Sequence, residues 1–415
     1  MRRHLSVTGL EGSQRGAAAL PVGVLLLFIA ALVLIAVART TLMEQRISAN
    51  EIRVRQALQA AQAGISHAMA YLQAGGIDRV SPTQQADAIT PLTLPSGASY
   101  QVYFCDPSPT PRPDPYPPVD ACVTPAARST CGGGFTAPAR FGQPLVLACG
   151  RSDDGMALQA VVVGFARATT LAEAPANPLI SRGTINVQGD ARVSNYFTNL
   201  TIRTGAPLVS LGQSGMTFVR HPTSPAPSLS APPPALPTSC TATTDYVCLT
   251  DKTGTGPDVI DGDPTLKNLP AEEMFNTLFG ADFATYRDDI ATRSITAAEV
   301  DLLAGEAVAG EAVVITGASA GIDLPGGVIG SREQPVILIM AGDWAQGATT
   351  TVHGIVYVRG DLAVQGTLTV HGHVSVEGNV GGTGSLDVSY DPHAIAGSAR
   401  LGKPGMLAGS WRDWL

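Results

Sequence analysis

Four groups of residues in this 415-residue sequence have types and spacings that could support chemistry. The segment 317–321, GASAG, fits the G-x-S-x-G pattern, in which a serine nucleophile stands on a sharp strand-to-helix turn. Histidine imidazoles recur in the last third of the chain and are common metal ligands. The remaining groups are acidic turns and cysteines. The members of the four groups are Ser319; His353, His371 and His373; Asp251, Asp258, Asp261 and Asp263; and Cys105, Cys122, Cys131, Cys149, Cys240 and Cys248.

The first three groups do not predict an active site or a metal site. A nucleophile elbow needs a helix directly after the serine, whereas IDLPGGVIG follows here and predicts a turn or a strand. No carboxylate or cysteine joins the histidines in their pattern, which favours stacked surface side chains. The acidic turns at 251–263 lack the order and closing glutamate of an EF-hand, and calcium binding there stays open. We therefore expect no enzyme activity and no cofactor.

None of the cysteines forms a C-x-x-C pair, which argues against zinc binding or redox chemistry. All six lie beyond the apolar N-terminal run described below, and this confinement predicts disulfides in an oxidising compartment. Cys105 and Cys149 each end a predicted strand, so we expect a 105–149 bridge that encloses a 122–131 bridge. Four cysteines allow two other pairings. Cys240 and Cys248 lie eight residues apart around a short loop, and we expect them to pair.

Composition excludes one class of partner. The net charge is −8 and charged residues make up only 14% of the chain, whereas a nucleic-acid partner would favour a basic face. The 45 glycines and 31 prolines favour turns and short strands over helices. At this length we expect more than one domain.

The N-terminal region contains an uncharged run of 22 residues, 17–38, which is long enough to span a bilayer as a helix. Arg2, Arg3 and Arg15 precede it and would hold residues 1–16 in the cytoplasm. Three interpretations fit these features. The run is an uncleaved anchor, a secretory signal cut after residue 38, or the start of a mature chain cut between Gly16 and Ala17.

The residues that follow favour the last interpretation. Residues 39–74 contain no proline and keep the helical period, so the apolar run continues into an amphipathic helix. A secretory signal needs no such continuation. Glu51 precedes Arg55 by four residues, a favourable helical pair. Gly75 and Gly76 predict the end of the helix. The apolar stripe consists of Val54, Leu58, Ala61, Ile65, Met69 and Leu72.

This block of sequence resembles a known family. QRGAA at 14–18, the apolar run, and ARTTLMEQRISANEIRVRQALQAAQAGISHA after it are similar to the N-terminal domain of PilX-type minor pilins of type IV pili. The resemblance covers about residues 13–72, with a short echo, GSWRDW, at 409–414. Pro21 stands where major pilins carry a glutamate, which argues against a role as the bulk fibre subunit.

The resemblance implies a set of properties. Prepilin peptidase would cleave after Gly16, and Ala17 would be methylated. The N-terminal helix would insert once in the inner membrane and pack with other pilin subunits. The C-terminal domain would lie in the periplasm or in the extracellular pilus, and the protein would take part in pilus assembly.

The C-terminal third carries a regular pattern. Every even position from 352 to 388 is Val, Leu or Gly, and VHG recurs after 18 residues. Alternation of this kind predicts strands with one buried face, and the 18-residue repeat predicts one coil of a short β-solenoid. Val356 should then lie directly under Val374. An antiparallel meander is the alternative. The glycines that recur every six residues are Gly354, Gly360, Gly366, Gly372, Gly378 and Gly384.

The sequence therefore predicts an α+β chain: a long transmembrane and amphipathic N-terminal helix, then a β-rich domain with a short C-terminal β-solenoid. The expected parts are a leader (1–16), the helix (17–75), a disulfide-bearing β region (76–220), a Pro-rich linker or loop (221–239), a mixed region with a helical segment (240–335), solenoid-like repeats (336–395) and a tail (396–415).

Three alternatives to a minor pilin remain open. One is a minor pseudopilin of a type II secretion system, and another is an envelope scaffold or adhesin anchored by an uncleaved helix. A β-helix enzyme that acts on polysaccharide would need clustered carboxylates on one solenoid face. The outward positions 353–389 offer only Asp361, Glu377 and Asp387.

Overall fold

The computed structural model describes residues 19–73, 92–105, 122, 145–303, 308–317, 321–411 and 413. The chain forms two compact units, residues 1–165 with 406–415 and residues 166–405, so the second unit is an insertion in the sequence of the first. The helices are α1 (Ala19–Gln73), α2 (Pro264–Lys267), α3 (Ala271–Phe279), α4 (Phe283–Thr285) and α5 (Pro392–Ser398), with a π-helical turn at Tyr286–Ile290 and a 3₁₀ segment at Ala297–Leu303.

The strands are short. They are β1 (Leu92–Thr93), β2 (Ser99–Cys105), β3 (Leu145–Arg151), β4 (Leu158–Arg167), β5 (Leu179–Ser181), β6 (Ile185–Val187), β7 (Asp190–Asn195), β8 (Ile202–Thr204), β9 (Leu208–Ser210), β10 (Met216–Arg220), β11 (Tyr246–Thr250), β12 (Val259–Ile260), β13 (Arg293–Thr296), β14 (Ala312–Thr316), β15 (Gly327–Ile329), β16 (Val336–Met340), β17 (Trp344–Gln346), β18 (Thr349–Val358), β19 (Leu362–Val364), β20 (Thr367–Val376), β21 (Val380–Gly382), β22 (Ser385–Ser389) and β23 (Pro404–Met406).

In the first unit, the C-terminal half of α1 packs on a sheet of strand order β1-β2-β3-β4-β23. The pairs from β1 to β4 are antiparallel. The two predicted strands that carry Cys105 and Cys149 are confirmed as β2 and β3. The predicted apolar stripe is buried in the same core from Ala61 onwards, against alternate residues of the strands, including Val102, Val146 and Val161.

The helix approaches this sheet closely because small residues line the contact. A Cβ atom on Gly150 of β3 would lie 2.0 Å from the main-chain oxygen of Ala57 and 2.4 Å from the main-chain nitrogen of Ala61. Only glycine leaves room for the helix backbone at that crossing. Ala57, Ala60 and Ala61 are fully buried there.

The second unit consists mainly of parallel strands stacked in three rows. The first row has the order β12-β8-β5-β20-β18-β16-β14-β13. The second has the order β10-β7-β22-β20-β18-β15, with β11 antiparallel on its β10 edge. The third has the order β17-β19-β21-β6-β9. The long strands β18 and β20 belong to two rows each.

The predicted 18-residue register is confirmed. Val356 pairs with Val374 and His353 with His371 in the parallel ladder between β18 and β20. The antiparallel alternative is therefore excluded for these strands. Val356, Leu368 and Val374 are fully buried in one core with the other even-numbered aliphatic residues, so the alternation does set the inward face.

The same stack contains strands from a distant part of the sequence. Leu179 pairs with Val374, and Ile185 with Val380, so β5 and β6 continue the rows directly beyond β20 and β21. β7 pairs in the same way with β22. The predicted divisions at residues 220, 239 and 335 fall inside this unit, because parallel pairing joins 179–219 and 336–389 into one stack.

The turns between rows are held by a ladder of side chains. Asp343 Oδ1 accepts from the main-chain N–H of Asp361 at 2.8 Å, and Asp361 Oδ1 accepts from the N–H of Asn379 at 2.7 Å. Asn379 Oδ1 accepts from the N–H of Thr184 at 2.9 Å. Each corner thus satisfies a main-chain donor of the neighbouring turn, which an irregular turn would leave unpaired.

A glycine also permits the close stacking of β18 and β20. Gly372 has φ +146°, and a Cβ atom on it would lie 1.9 Å from the main-chain oxygen of Gly354. An L-residue with a side chain would be strained and would push the coils apart.

The outer surface of the first row differs from the predicted polar face. Ile355 and Tyr357 occupy outward positions and are fully buried, because α3 and the π-helical turn cover them with Phe275, Phe279 and Tyr286. This region therefore has a second apolar core outside the strands. The helical segment expected within 240–335 supplies these covering helices, and β13 follows it.

The inward and outward positions predict opposite effects of the same substitution. Leu368→Asp places a carboxylate among fully buried aliphatic side chains and should lower the free energy of unfolding by about 4 kcal/mol or more. Thr367→Asp, one residue away and only partly buried, should change it by about 0.5 kcal/mol or less. Denaturant unfolding of both variants measures this. Equal losses would contradict the assignment of the inward face.

Candidate functional site

Most of the exposed large hydrophobic side chains that the structure describes lie on the N-terminal part of α1. Every residue from 21 to 52 is exposed, and residues 21–38 are apolar around the whole helix. Leu27 is 73% exposed and Leu34 is 69% exposed. This is the one described helix long and apolar enough to cross a membrane. A helix that is apolar on every side needs lipid or other protein around it.

The helix changes character after residue 38. Thr40 and Thr41 donate their hydroxyls to the Val37 carbonyl at 2.8 and 2.9 Å, so these polar groups are satisfied within the helix. Beyond them, apolar and charged side chains alternate on an exposed surface, and the predicted Arg55–Glu51 pair is present at 2.5 Å. The helix has 55 residues, about 80 Å at ~1.5 Å per residue.

Two polar contacts fix the helix on its own sheet. Arg53 Nε lies 2.5 Å from Asp154 Oδ2. The pKa of Asp154 is lowered, first by the main-chain N–H of Met156 and the Ser152 hydroxyl and then by Arg53. Further along, the Tyr100 hydroxyl lies 3.1 Å from His67 Nδ1. The C-terminal half of α1 is thus bound to the unit, while its N-terminal half remains available for packing.

Several sequence-predicted residues lie outside the described part. Gly16 and Ala17 lie before it, as does the leader, and Gly75 and Gly76 lie in another gap. Ser319 is also outside it. The G-x-S-x-G hypothesis therefore stays without a structural account, and AVVIT before it forms β14.

The cysteine pairing differs from the expectation. Cys149 bonds to Cys122, so the expected 105–149 bridge and the expected 122–131 bridge are both wrong. Cys149 lies inside β3 rather than at its end, and its partner comes from the long segment between β2 and β3. The side chains of Cys105 and Cys131 lie outside the described residues. Cys240 bonds to Cys248, as predicted.

The three histidines do not converge on one point. His353 and His371 stack on successive coils, with ring centroids 4.8 Å apart, as the repeat predicts. Burial lowers the pKa of both, and proximity to His371 lowers that of His353 further. His373 points to the opposite side of its strand from Val374 and is fully buried. Among the residues that the structure describes, no cluster of three metal-ligating side chains occurs.

The acidic turns are occupied by local hydrogen bonds. Buried Asp258 accepts from the hydroxyls of Thr201 at 2.6 Å and Thr250 at 3.1 Å. Asp263 caps α2 and pairs with Arg203, and these contacts lower its pKa to about 2, the Thr265 hydroxyl having the largest effect.

The remaining two aspartates also make local hydrogen bonds. Asp261 Oδ1 accepts from the Leu208 N–H at 2.6 Å. Asp251 Oδ1 accepts from the Thr253 N–H at 2.8 Å. Asp251 thus stabilises its own turn, whereas Asp258, Asp261 and Asp263 tie the acidic segment to residues 201–208.

The outward carboxylates have separate structural partners. Asp361 belongs to the corner ladder, and Asp387 Oδ1 accepts from Arg192 Nε at 2.8 Å. Glu377 is 3% exposed and accepts from the Tyr357 hydroxyl at 2.8 Å. Burial raises the pKa of Glu377. The described structure therefore gives these three carboxylates different neighbours rather than a common site.

A cavity of about 250 Å³ in the second unit was not predicted from the sequence. Its wall contains a hydrogen-bonded chain: Ser375 Oγ lies 2.6 Å from His373 Nε2, and His373 Nδ1 lies 2.5 Å from the main-chain oxygen of Asn177. A carbonyl only accepts, so Nδ1 carries the proton and Nε2 accepts from the serine. Burial lowers the pKa of His373 to about 4.

Comparison with known proteins bears on the helix. The PilX N-terminal family model matches residues 15–66, which confirms the resemblance over that segment. No curated protein matches the chain. A solved structure, the competence-associated pilin ComZ from Thermus thermophilus, is 13% identical, covers 87% of this chain and 97% of its own, and has a TM-score of 0.23. A TM-score this low does not support a shared fold.

The buried imidazole predicts a dependence of stability on pH. The folded chain protonates His373 only near pH 4, whereas an unfolded chain does so near pH ~6.5. The unfolded state therefore binds more protons between these values, and the free energy of unfolding should fall by about 3 kcal/mol as pH falls through this window. This contribution is fully present above pH ~6.5.

His373→Asn keeps a donor near the position of Nδ1 and should remove that part of the pH dependence. Thermal unfolding of wild type and variant between pH 4 and 7 gives the comparison, with the exposed His393→Asn as the control. If the stability of wild type and of His373→Asn falls equally with pH, the His373 imidazole has the same pKa in the folded and unfolded chain, and the prediction is wrong.

Proposed function

We propose that the protein is a non-enzymatic minor pilin-like subunit that takes part in assembly of a type IV pilus. The observation that carries the proposal is the PilX N-terminal match over residues 15–66, on a helix whose first half is apolar on all sides and exposed. Such a helix inserts once in the inner membrane, with the two folded units in the periplasm, and then packs with other pilin helices.

The packing of α1 supports separate roles for the two halves of the helix. Its C-terminal half is held by small residues against the sheet, by Gly150 above all, and by the Arg53–Asp154 contact. The N-terminal half makes no comparable contact among the described residues. One end of the helix therefore carries the folded domain while the other is available to membrane or filament.

The stacked parallel rows of the second unit form, in our proposal, a short β-solenoid displayed on that domain. Its core is made of aliphatic side chains in register, and its outward carboxylates each have a local partner. This arrangement favours a display or contact role over the polysaccharide-acting enzyme that a β-helix can also be.

Two alternatives in the same structural class remain. A minor pseudopilin of a type II secretion system would use the same helix, and an envelope scaffold or adhesin would keep an uncleaved one. Pro21, within the first described turn of α1, takes the place of the major pilin glutamate, and this favours a minor over a bulk subunit.

Processing of the N-terminus tests the pilin proposal. Gly16→Leu puts a bulky residue at the expected cleavage point and should leave the leader attached and stop assembly without stopping membrane insertion. Gly12→Leu, another leader glycine, should be processed normally. Mass spectrometry of the membrane-extracted protein should find wild type beginning at a methylated Ala17.

Two results would decide against it. A wild-type chain beginning at Arg39 would show a secretory signal, and a chain beginning at Met1 would show an uncleaved anchor. If processing is as expected, recovery of the protein in sheared pili distinguishes a pilus subunit from a secretion-system pseudopilin, whose loss would instead stop export of secreted proteins.

The hydrogen-bonded Ser375 and His373 supply a test of the non-enzymatic part. A base with a pKa of about 4 is poorly matched to proton abstraction at neutral pH, and Ser375 is 3% exposed. We expect p-nitrophenyl acetate to be hydrolysed at the same rate by wild type and Ser375→Ala. Turnover that depends on Ser375 would overturn the non-enzymatic proposal.

A further inference from the structure

The two stacked histidines of the second row have ring nitrogens that no described residue occupies. The parallel ladder pairs His353 with His371 on neighbouring strands, and their rings stack with centroids 4.8 Å apart and planes 25° apart. No hydrogen bond joins either ring to a described residue. Buried His373 differs, because both of its ring nitrogens are paired. The half-buried pair is therefore available to a ligand.

The state of these nitrogens suits a metal ion. Of the four nitrogens in the pair, Nδ1 of His353 is buried without a partner, and the other three are accessible to solvent. Burial lowers the pKa of both rings, which keeps them neutral at pH 7. A neutral imidazole has a lone pair for a metal, whereas an imidazolium has none. Nε2 of His353 and one nitrogen of His371 can thus serve as ligands.

The charges around the pair favour a cation. Apart from burial and the effect of His371 on His353, the groups that shift the pKa of these rings are carboxylates, and each raises it. They are Asp391, which acts on both rings, Glu333 and Asp387. Asp391 and Asp387 are each paired with an arginine, whereas Glu333 makes no ion pair to a described residue. The unbalanced negative charge beside the rings is therefore that of Glu333.

The backbone register places Glu333 next to the histidine pair. It lies in the turn 330–335 between β15 and β16, with its side chain exposed. The residues that flank this turn pair with Val352 and Gly354, which flank His353. One carboxylate and two imidazoles thus follow one another along the stack. The sequence did not predict this group, because Glu333 falls in an irregular turn outside the 18-residue repeat.

We propose that His353, His371 and Glu333 form a binding site for a divalent transition-metal ion such as Zn²⁺, with water at the remaining coordination position. Imidazole and carboxylate are both ligands of zinc, whereas Ca²⁺ and Mg²⁺ favour oxygen ligands alone. The proposal is independent of pilus assembly. It gives the inserted unit a binding function that the N-terminal helix does not supply.

The geometry requires only side-chain movement. A Zn–N bond is about 2.0–2.1 Å long, so the two ligating nitrogens must come within ~4 Å of each other. Small rotations of the two rings achieve this from centroids 4.8 Å apart. Among the described residues no three metal-ligating side chains already converge, so the exposed Glu333 carboxylate must turn toward the rings to complete the site.

Calorimetric titration of the full chain in detergent, freed of metal with a chelator, tests the site at pH 7. We expect wild type to bind one Zn²⁺ per chain and to show no comparable binding of Ca²⁺ or Mg²⁺, because two of the three ligands are nitrogens. Cu²⁺ serves as a spectroscopic probe of the same site. Its electron paramagnetic resonance spectrum in wild type should show coupling to nitrogens of two imidazoles.

Matched variants locate the binding. His353→Gln and His371→Gln should each weaken Zn²⁺ binding about tenfold or more, whereas His393→Gln, at an exposed histidine of the same unit, should leave it unchanged. Glu333→Gln keeps the shape of the side chain but removes its charge, and should also weaken binding about tenfold. The exposed Glu273→Gln is its control. Unchanged thermal unfolding without metal verifies that the variants are folded.

The outcomes separate clearly. Weaker binding in both histidine variants and in Glu333→Gln, with both controls like wild type, supports the site. If no Zn²⁺ binds at millimolar concentration, or if the histidine variants bind like wild type, the proposal fails. If Glu333→Gln alone binds like wild type, the carboxylate is not a ligand and the three-residue site is wrong. The Cu²⁺ spectrum of wild type needs no variant, and coupling to fewer than two imidazoles would contradict the proposal by itself.

Discussion

The inserted unit depends on one parallel ladder between two distant parts of the chain. Leu179–Ser181 pairs with Val374–Val376, and the two segments beyond them, β6 and β7, pair with β21 and β22. Ser194 and Ser389, which are 195 residues apart in sequence, have hydroxyls 3.1 Å apart. Without this ladder the parallel strands at 336–389 would end in an unpaired edge, and the residues at 179–219 would have no sheet to join.

That ladder has energetic and kinetic consequences. It lets the aliphatic rows of both segments form a single core, which is larger than either could form alone. It also requires a long loop to close before its contacts form, which slows folding relative to local pairing. The corner ladder of Asp343, Asp361 and Asn379 and the close approach at Gly372 then fix the spacing of neighbouring coils.

The first unit is stabilised by a different principle. At their closest crossing its helix and sheet meet through alanines and Gly150, so the main chains come close and little side-chain entropy is lost there on folding. The helix can then extend far beyond the sheet with an apolar surface that the unit itself does not cover. That uncovered half links the fold to the proposed assembly function.

The sequence alone determined what repeats locally. The apolar run and its continuation predicted α1, the alternation at 352–388 predicted the inward residues, and the 18-residue repeat predicted that Val356 lies under Val374. These predictions held because period and register are set by residues a few positions apart. The 240–248 disulfide is equally local.

Tertiary structure decided whatever depends on distant partners. The 122–149 disulfide, the stacking of 179–195 on 374–389, and the helices that bury Ile355 and Tyr357 have no signal in local spacing. The cavity is of the same kind, since Asn177, Met274 and His373 come from three separate segments. Their side chains are neighbours because the parallel ladder and the covering helices bring their backbones together. Contacts between segments so far apart in the sequence leave no periodic pattern from which they could be predicted.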